Sequence, residues 1–268
     1  MRLDPAAAAA GFRVITHQTL DSTNAEALRY ALEHRGETAP LWITASEQTA
    51  GRGRRGNKWV SPPGNLYATL LLNDPAAPRQ APQLSFVAAL AVHDAVLDRA
   101  AQLSGKLALK WPNDVLCDGA KLAGILIEGH RLDARLAVAV GIGVNCLHHP
   151  SQTSYPATDL AALGVDASPE DLLFSLSGAM MRRLDQWRDG GRFSATRSDW
   201  LDRASGVGGE MQVRMPGREL VGRFEAMDET GCMLLRLADG SLETIVAGDV
   251  FQQSRPFLTD DTELHGAG

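Results

Sequence analysis

Residues 47–59 read EQTAGRGRRGNKW, and residues 110–128 read KWPNDVLCDGAKLAGILIE. The first stretch sets Arg52, Arg54, Arg55 and Lys58 among Gly51, Gly53 and Gly56. Glycine lets backbone N–H groups approach a ligand and frees φ to turn positive. Arginine offers a planar fork matched to carboxylate and phosphate oxygens. The chain carries a formal charge of -6, so cations gathered on a glycine loop point to a docked anion. The second stretch adds Lys110 and Lys121 beside an apolar strand pattern. Together the two stretches are equipped to bring two anions into contact.

Other polar residues stay open between two readings. Asn113, Asp114 and Asn145 fall at strand ends. Asn and Asp bond their own backbone readily, so turn formation competes evenly with a site role for Asp114. Lys110 either supports an anion or pairs with Asp114. Lys121 alone reads as a surface lysine after the Asp118-Gly119 turn. As a polar strand-end side chain it is expected to contribute little packing. Trp59 is either a ligand-facing aromatic or a core anchor for the loop base. His93 falls in a helix and reads as structural, and His148-His149 lack partners at metal-ligand spacing. No P-loop is present, so a nucleotide would not be held in the P-loop manner.

The elements that must position these residues follow from periodicity. Residues 12–19, 41–45, 65–72, 107–110, 123–128 and 135–144 read as strands. Helices are expected over 23–34, 83–101, 168–187 and 193–203. In the first, Ala27, Leu28, Ala31 and Leu32 should face inward, and Thr23 and Glu26 have capping-box spacing. Ser168-Pro169 supplies an N-cap and a proline at the first helical position. Composition then changes. Residues 209–253 alternate apolar and polar positions, with turns at Pro216-Gly217, Glu229-Thr230-Gly231 and Asp239-Gly240. That pattern predicts four or five short strands in a small β-barrel. The polar tail, 257–268, is expected to be mobile.

The 268 residues suffice for one large domain and one small one. At 44% hydrophobic and 22% charged, the composition is that of a soluble globule. A pI near 5.6 argues against a general nucleic-acid binder. Cys117, Cys146 and Cys232 are scattered, which speaks against a disulfide framework or zinc site and fits a reducing cytoplasm. The N-terminus MRLDPAAAAAGF lacks a signal peptide's leucine-rich core, and no apolar run approaches a membrane span.

The chain resembles the biotin–protein ligases, also called biotin–[acetyl-CoA-carboxylase] ligases. The resemblance rests on Asp21-Ser22-Thr23-Asn24, on Gln48 to Trp59, on Lys110 to Glu128, and on Gly141-Ile142-Gly143-Val144-Asn145. It implies an α+β fold: a mixed, largely antiparallel sheet with flanking helices, related to class II aminoacyl-tRNA synthetases, plus a C-terminal SH3-like barrel. The expected division is a catalytic domain over 1–208, the barrel over 209–256, and the tail. The motif at Asp21 leaves no room for the DNA-binding winged helix of bifunctional relatives, so the chain resembles the monofunctional class. Asn57 stands where a further arginine is common in the family.

The resemblance also implies chemistry. ATP and biotin would be substrates, with Mg2+ assisting, and biotin would be activated as biotinyl-5′-AMP. The biotinyl group would pass to a lysine of a biotin carboxyl carrier protein, of acetyl-CoA carboxylase or another biotin-dependent carboxylase. Lys121 and Arg54 take the catalytic roles. Ser22, Thr23, Asn24, Gln48, Gly51, Arg52, Gly53, Arg54, Lys121 and Gly124 take biotin. Arg52, Arg54, Trp59, Lys110, Asn113, Asp114, Lys121 and Asn145 take ATP. Metal ligands stay unassigned, and a homodimer stays open. Helix capping remains the second reading for Ser22 and Thr23. Two competing functions remain: a lipoate- or octanoyl-transfer enzyme on a related fold, and a non-catalytic sensor of biotin or its adenylate.

Overall fold

The computed structural model describes residues 1–151, 153 and 155–252. The expected mobile tail, and the last four residues assigned to the barrel, lie outside them. The element order is α1 (Pro5–Ala9), β1 (Arg13–Leu20), α2 (Thr23–Glu33), β2 (Leu41–Gln48), β3 (Leu66–Asn73), α3 (Leu84–Arg99), β4 (Leu107–Lys110), β5 (Asp114–Cys117), β6 (Ala120–Leu132) and β7 (Arg135–Val144). Next come α4 (Pro169–Trp187), α5 (Phe193–Leu201), β8 (Glu210–Met215), β9 (Arg218–Met227), β10 (Met233–Arg236), β11 (Leu242–Ile245) and β12 (Asp249–Gln252).

Strands β1 to β7 form one sheet in the order β1-β2-β3-β7-β6-β5-β4. Only β1 and β2 run parallel; the other pairs are antiparallel. This is the mixed, largely antiparallel sheet expected. The interior strand β3, LYATLLLN, is buried along nearly its whole length. A strand covered on both faces reads as a continuous apolar run rather than an alternating one. One face is covered by α2, whose Ala27 and Ala31 pack with Leu41, Ile43, Leu71 and Ala139. The other is covered by α3 and α4. Helix α3 is buried almost all round because it lies between the sheet and α4.

Strands β8 to β12 form a second, antiparallel sheet in the order β11-β10-β9-β8-β12. Its Phe224, Met233 and Leu235 belong to the same apolar cluster as Phe86 of α3 and Trp200 of α5. The indole Nε1 of Trp111 donates to the Gly231 carbonyl at 3.0 Å. Gly231 has φ of 99°, and a Cβ there would lie 2.5 Å from the Phe86 ring. A glycine is therefore required at this seam, both for handedness and for room.

Locally the structure adds two elements to those expected and corrects two details. The alanine-rich N-terminus forms α1, because Asp4 accepts from the N–H groups of Ala6 and Ala7 and Pro5 opens the helix. Asp114 opens a strand, β5, which pairs with both β4 and β6. Ser22, not Thr23, holds the N-cap position of α2, and its side chain makes no capping bond. Leu32 is 41% exposed rather than inward-facing, since α2 presents only its Ala27–Ala31 stripe to the sheet. The capping box of α4 forms between Ser168 and Asp171. Among the described residues, no helix is long and apolar enough to cross a membrane.

Candidate functional site

A single cavity gathers most of the expected residues against strands β3, β7 and β6 of the large sheet. Its seat is built from glycines. Gly124 of β6 and Gly143 of β7 are direct cross-strand partners. A Cβ on Gly143 would lie 2.7–2.8 Å from the Trp59 indole, and one on Gly124 would lie 3.1 Å from it. The bare backbone at this pair lets the indole lie flat against the sheet. Trp59 thus serves as the anchor of the loop base and also lines the cavity. Its buried Nε1–H has no partner among the described residues.

One end of the cavity is neutral and polar. The N–H and hydroxyl of Thr23 approach Gln48 Oε1 at 2.8 and 3.1 Å. Gln48 Nε2 in turn donates to Ser61 Oγ at 3.0 Å. The Thr69 hydroxyl lies 2.8 Å from Thr23 Oγ1 and 2.7 Å from Asn24 Oδ1. Asn24 Nδ2 donates to Glu128 at 2.8 Å and to the Leu126 carbonyl at 3.3 Å. Asn24 is therefore held on several sides. A Cβ on Gly141 would meet its Oδ1 at 2.3 Å. Ser22 is 3% exposed and lines the same end.

The other end is cationic. Lys121 Nζ lies 2.7 Å from Asp114 Oδ1, and both side chains are mostly buried. The register between β5 and β6 shifts between Val115 and Leu116, leaving Leu122 as the extra residue. Such a bulge re-aims nearby side chains, and Lys121 lines the cavity. Its ammonium stands 5.3 Å from the Trp59 ring and 5.2 Å from the Tyr155 ring. Lys110 stands 5.6 Å from Tyr155 and 5.4 Å from the Phe251 ring of β12. Asp114 is thus the partner of Lys121, not of Lys110. Burial pushes the Lys110 pKa down, with Asp114 opposing and Lys121 adding to the effect.

The glycine–arginine loop closes over this end through a short helical turn, Arg54–Gly56. Arg54 Nη1 donates to Asn113 Oδ1 at 3.2 Å and to the Gly248 carbonyl at 3.3 Å. Burial, then repulsion from Arg55, lowers its pKa. Asn113 is oriented in turn by donating to the Ile125 carbonyl at 2.8 Å. Arg52 reaches Glu128 at 3.4 Å, which links the loop to Asn24. Gly53, Asn57 and Lys58 also line the cavity.

Two expected residues stand apart from the lining. Gly51 is pinched: a Cβ would lie 2.5 Å from the Trp59 carbonyl and 2.6 Å from Ser61 Oγ. It closes the loop base. Asn145 is buried and donates to the Thr158 carbonyl at 2.9 Å. It braces residues 156–158, whose backbone bonds both sides of Lys121. Conversely, Thr69, Tyr155, Asp249 and Phe251 take part in this architecture without any signal from the motifs, and Glu128, which ends the second motif, was given no role there. Tyr155 and Asp249 sit in irregular or strand-start positions far from both motifs in sequence.

Among the described residues, no group of three His, Cys, Asp or Glu side chains is arranged to hold a metal. The cysteines are free, with Cys117 and Cys146 buried. His149 pairs with Asp159 at 2.5 Å.

Known proteins resemble this chain in sequence and fold. Residues 16–145 match the Biotin/lipoate A/B protein ligase family, and residues 208–251 match the Biotin protein ligase C terminal domain. A biotin–[acetyl-CoA-carboxylase] ligase of Paracoccus denitrificans is 42% identical over 86% of this chain and 97% of its own length. The biotin protein ligase of Aquifex aeolicus, solved with biotin and ATP, superposes with a TM-score of 0.75 at 25% identity, covering 90% of this chain and 99% of that one. The Leishmania major biotin protein ligase, solved with biotinyl-5-AMP, gives a TM-score of 0.62 at 25% identity, covering 88% and 99%. The chain belongs to the biotin protein ligase family.

Proposed function

We propose that the protein activates biotin with ATP as biotinyl-5′-AMP and transfers the biotinyl group to a lysine of a biotin carboxyl carrier protein. The observation that carries this reading is the polarity of the cavity: hydroxyl and amide groups at one end, Lys110, Lys121 and Arg54 at the other. Biotin's ureido ring has one carbonyl acceptor and two N–H donors, which Ser22, Thr23 and Gln48 match in type. The valeryl chain would lie along the floor near Gly124 and Ile125.

In the first half-reaction a carboxylate oxygen bonds to the α-phosphorus of ATP, and the bond from that phosphorus to the pyrophosphate oxygen breaks. Two unit charges at 4 Å repel by about 4 kcal/mol at an effective dielectric near 20. The fixed cations offset this. An ammonium has three donors. If Asp114 takes one on Lys121, two remain for the carboxylate and the phosphate. Asp114 thereby acts as the positioning residue for the central cation. Arg54, Arg52 and Lys110 would bind phosphate oxygens, and Asn113 would hold the Arg54 fork in place. In the second half-reaction the carrier amine attacks the activated carbonyl, AMP leaves, and the amine loses a proton.

Magnesium fits as part of the substrate. Mg2+ keeps waters and substrate phosphates and needs only one or two carboxylates. The carboxylates lining the cavity, Asp114 and Asp249, are paired with Lys121 and Arg55. The domain assignment is part of this proposal: residues 1–208 bind the small molecules, and the barrel contributes Gly248 to Phe251 to the cationic end. The carrier is assigned to acetyl-CoA carboxylase on the strength of the name of the Paracoccus relative.

The test is incubation of a purified carrier domain with the protein, ATP, magnesium, and either biotin or lipoate. A carrier mass increase matching one biotinyl group is expected with biotin alone. An increase with lipoate instead assigns the lipoate reading. Biotin binding with neither pyrophosphate release nor carrier modification assigns the non-catalytic sensor reading.

A further inference from the structure

The two adjacent arginines of the loop do different things. Arg54 turns inward to Asn113 and to the Gly248 carbonyl. Arg55 has φ of 55°, a left-handed conformation, so its side chain leaves in another direction. Residues with a Cβ resist that conformation, so contacts must hold it. Arg55 Nη1 lies 3.0 Å from Asp249 Oδ2 and 3.2 Å from the Arg214 carbonyl. Asp249 and Arg214 are direct cross-strand partners of β12 and β8. One guanidinium therefore grips a single rung of the barrel.

The barrel end of this contact is anchored. Trp111 bonds Gly231, Arg197 donates to the Met227 carbonyl, and Phe224 is buried in the common core. The loop end has fewer ties. Arg54 bonds Asn113 and the Gly248 carbonyl, and the loop backbone bonds itself through Gly53 N–H to the Asn57 carbonyl, Asn57 N–H to the Arg54 carbonyl and Trp59 N–H to the Gly51 carbonyl. Its other ionic tie among the described residues, Arg52 to Glu128, is 3.4 Å long.

We propose that the Arg55–Asp249 pair is a clasp by which the C-terminal barrel holds the glycine–arginine loop shut, and that it sets how long the adenylate stays bound. The proposal rests on the ligase reading above. Arg55 acts as a positioning residue: it lies outside the cavity lining and works through the loop. The barrel's role in the reaction then includes timing. The loop opens when the clasp parts, and the pair, at 30% and 44% side-chain exposure, is accessible to salt.

The experiment uses full-length protein and the variants Arg55→Gln, Asp249→Asn and the double variant. Each is loaded with labelled biotin and ATP in one turnover, then chased with unlabelled biotin, and release of labelled biotinyl-AMP is followed. Each single variant is expected to release it about two- to fivefold faster, the range that a partly exposed ion pair supports. The double variant should be no faster than the singles, and raising ionic strength should speed the wild type but not the variants. Limited trypsin cleavage within 54–58, without ligand, should be faster by a similar factor in Asp249→Asn, which keeps every cleavage site. Release and cleavage unchanged in the single variants, or single effects that multiply in the double variant, overturn the clasp while leaving the ligase reading intact. No adenylate from the wild type overturns the ligase reading and the clasp with it.

Discussion

The Lys121 ammonium lies 2.7 Å from the Asp114 carboxylate, and their side chains are only 12% and 14% exposed. This changes what the lysine does for the fold. As a strand-end residue it was expected to contribute little packing. Paired and mostly enclosed, it neutralises a carboxylate that would otherwise be stranded. Lys121→Ala is predicted to destabilise the protein by about 3 kcal/mol, the lower end for breaking a buried pair from one side. Lys121→Ala with Asp114→Asn should recover part of that loss. Urea unfolding midpoints of the three proteins check it; equal midpoints for wild type and Lys121→Ala contradict it.

The glycine pair under Trp59 makes a second prediction. Gly143→Ala would place a Cβ within 2.8 Å of the indole, which must then lift off the sheet. Adenylation should fall about tenfold or more, since small displacements at a reacting site are costly. In a Trp59→Ala background the clash is gone, so Gly143→Ala should cost nothing further. Pyrophosphate release from the four proteins of this cycle is the measurement. Equal losses in both backgrounds would show that the glycine matters for another reason.

Arg54→Gly removes the ties to Asn113 and Gly248 and adds backbone freedom to the loop. Closure normally keeps a reactive mixed anhydride from water and stray amines. The variant should still make adenylate, because Lys110 and Lys121 remain, but should lose it to solution. Biotin incorporation into an unrelated bystander protein is expected to rise. Bystander labelling equal to that of the wild type would remove Arg54 from retention.

The barrel should resist separation from the rest. Phe224, Met233 and Leu235 share one core with Phe86 and Trp200, so a fragment ending at 208 exposes that surface. We predict that this fragment loses cooperative unfolding and carrier biotinylation together. Trp111→Phe is the milder probe. It leaves the Gly231 carbonyl without its indole donor and should cost about 1–3 kcal/mol. A fragment 1–208 that unfolds cooperatively and biotinylates a carrier at the full rate would contradict this.

Much of this was legible because each signal was local. The run in β3, the Ser168-Pro169 helix start and the turn-punctuated alternation after residue 209 are set within a few residues of chain. The cationic loop and Lys121 were legible because charge on a glycine loop is conspicuous in a chain of net charge -6. What was not legible depends on distant partners. Thr23 turns from cap to hydrogen-bond partner because Gln48 and Thr69 lie opposite it. Asn145 serves the 156–158 segment because that segment folds back beside β6. Tyr155 reaches Lys110 from the segment before α4, and Phe251 reaches it only because the barrel docks there.

The central claim is that fixed cations at one end of the cavity join biotin's carboxylate to the α-phosphate of ATP, with Lys121 foremost. Biotin-dependent pyrophosphate release in the absence of any carrier tests it most directly. Wild type and Lys121→Ala are compared, the variant in conditions where circular dichroism shows it folded. The account predicts a single-turnover burst of release from the wild type and a rate at least about a hundredfold lower from the variant, as for loss of a preorganised charge-stabilising group. Near-normal release from folded Lys121→Ala would contradict it.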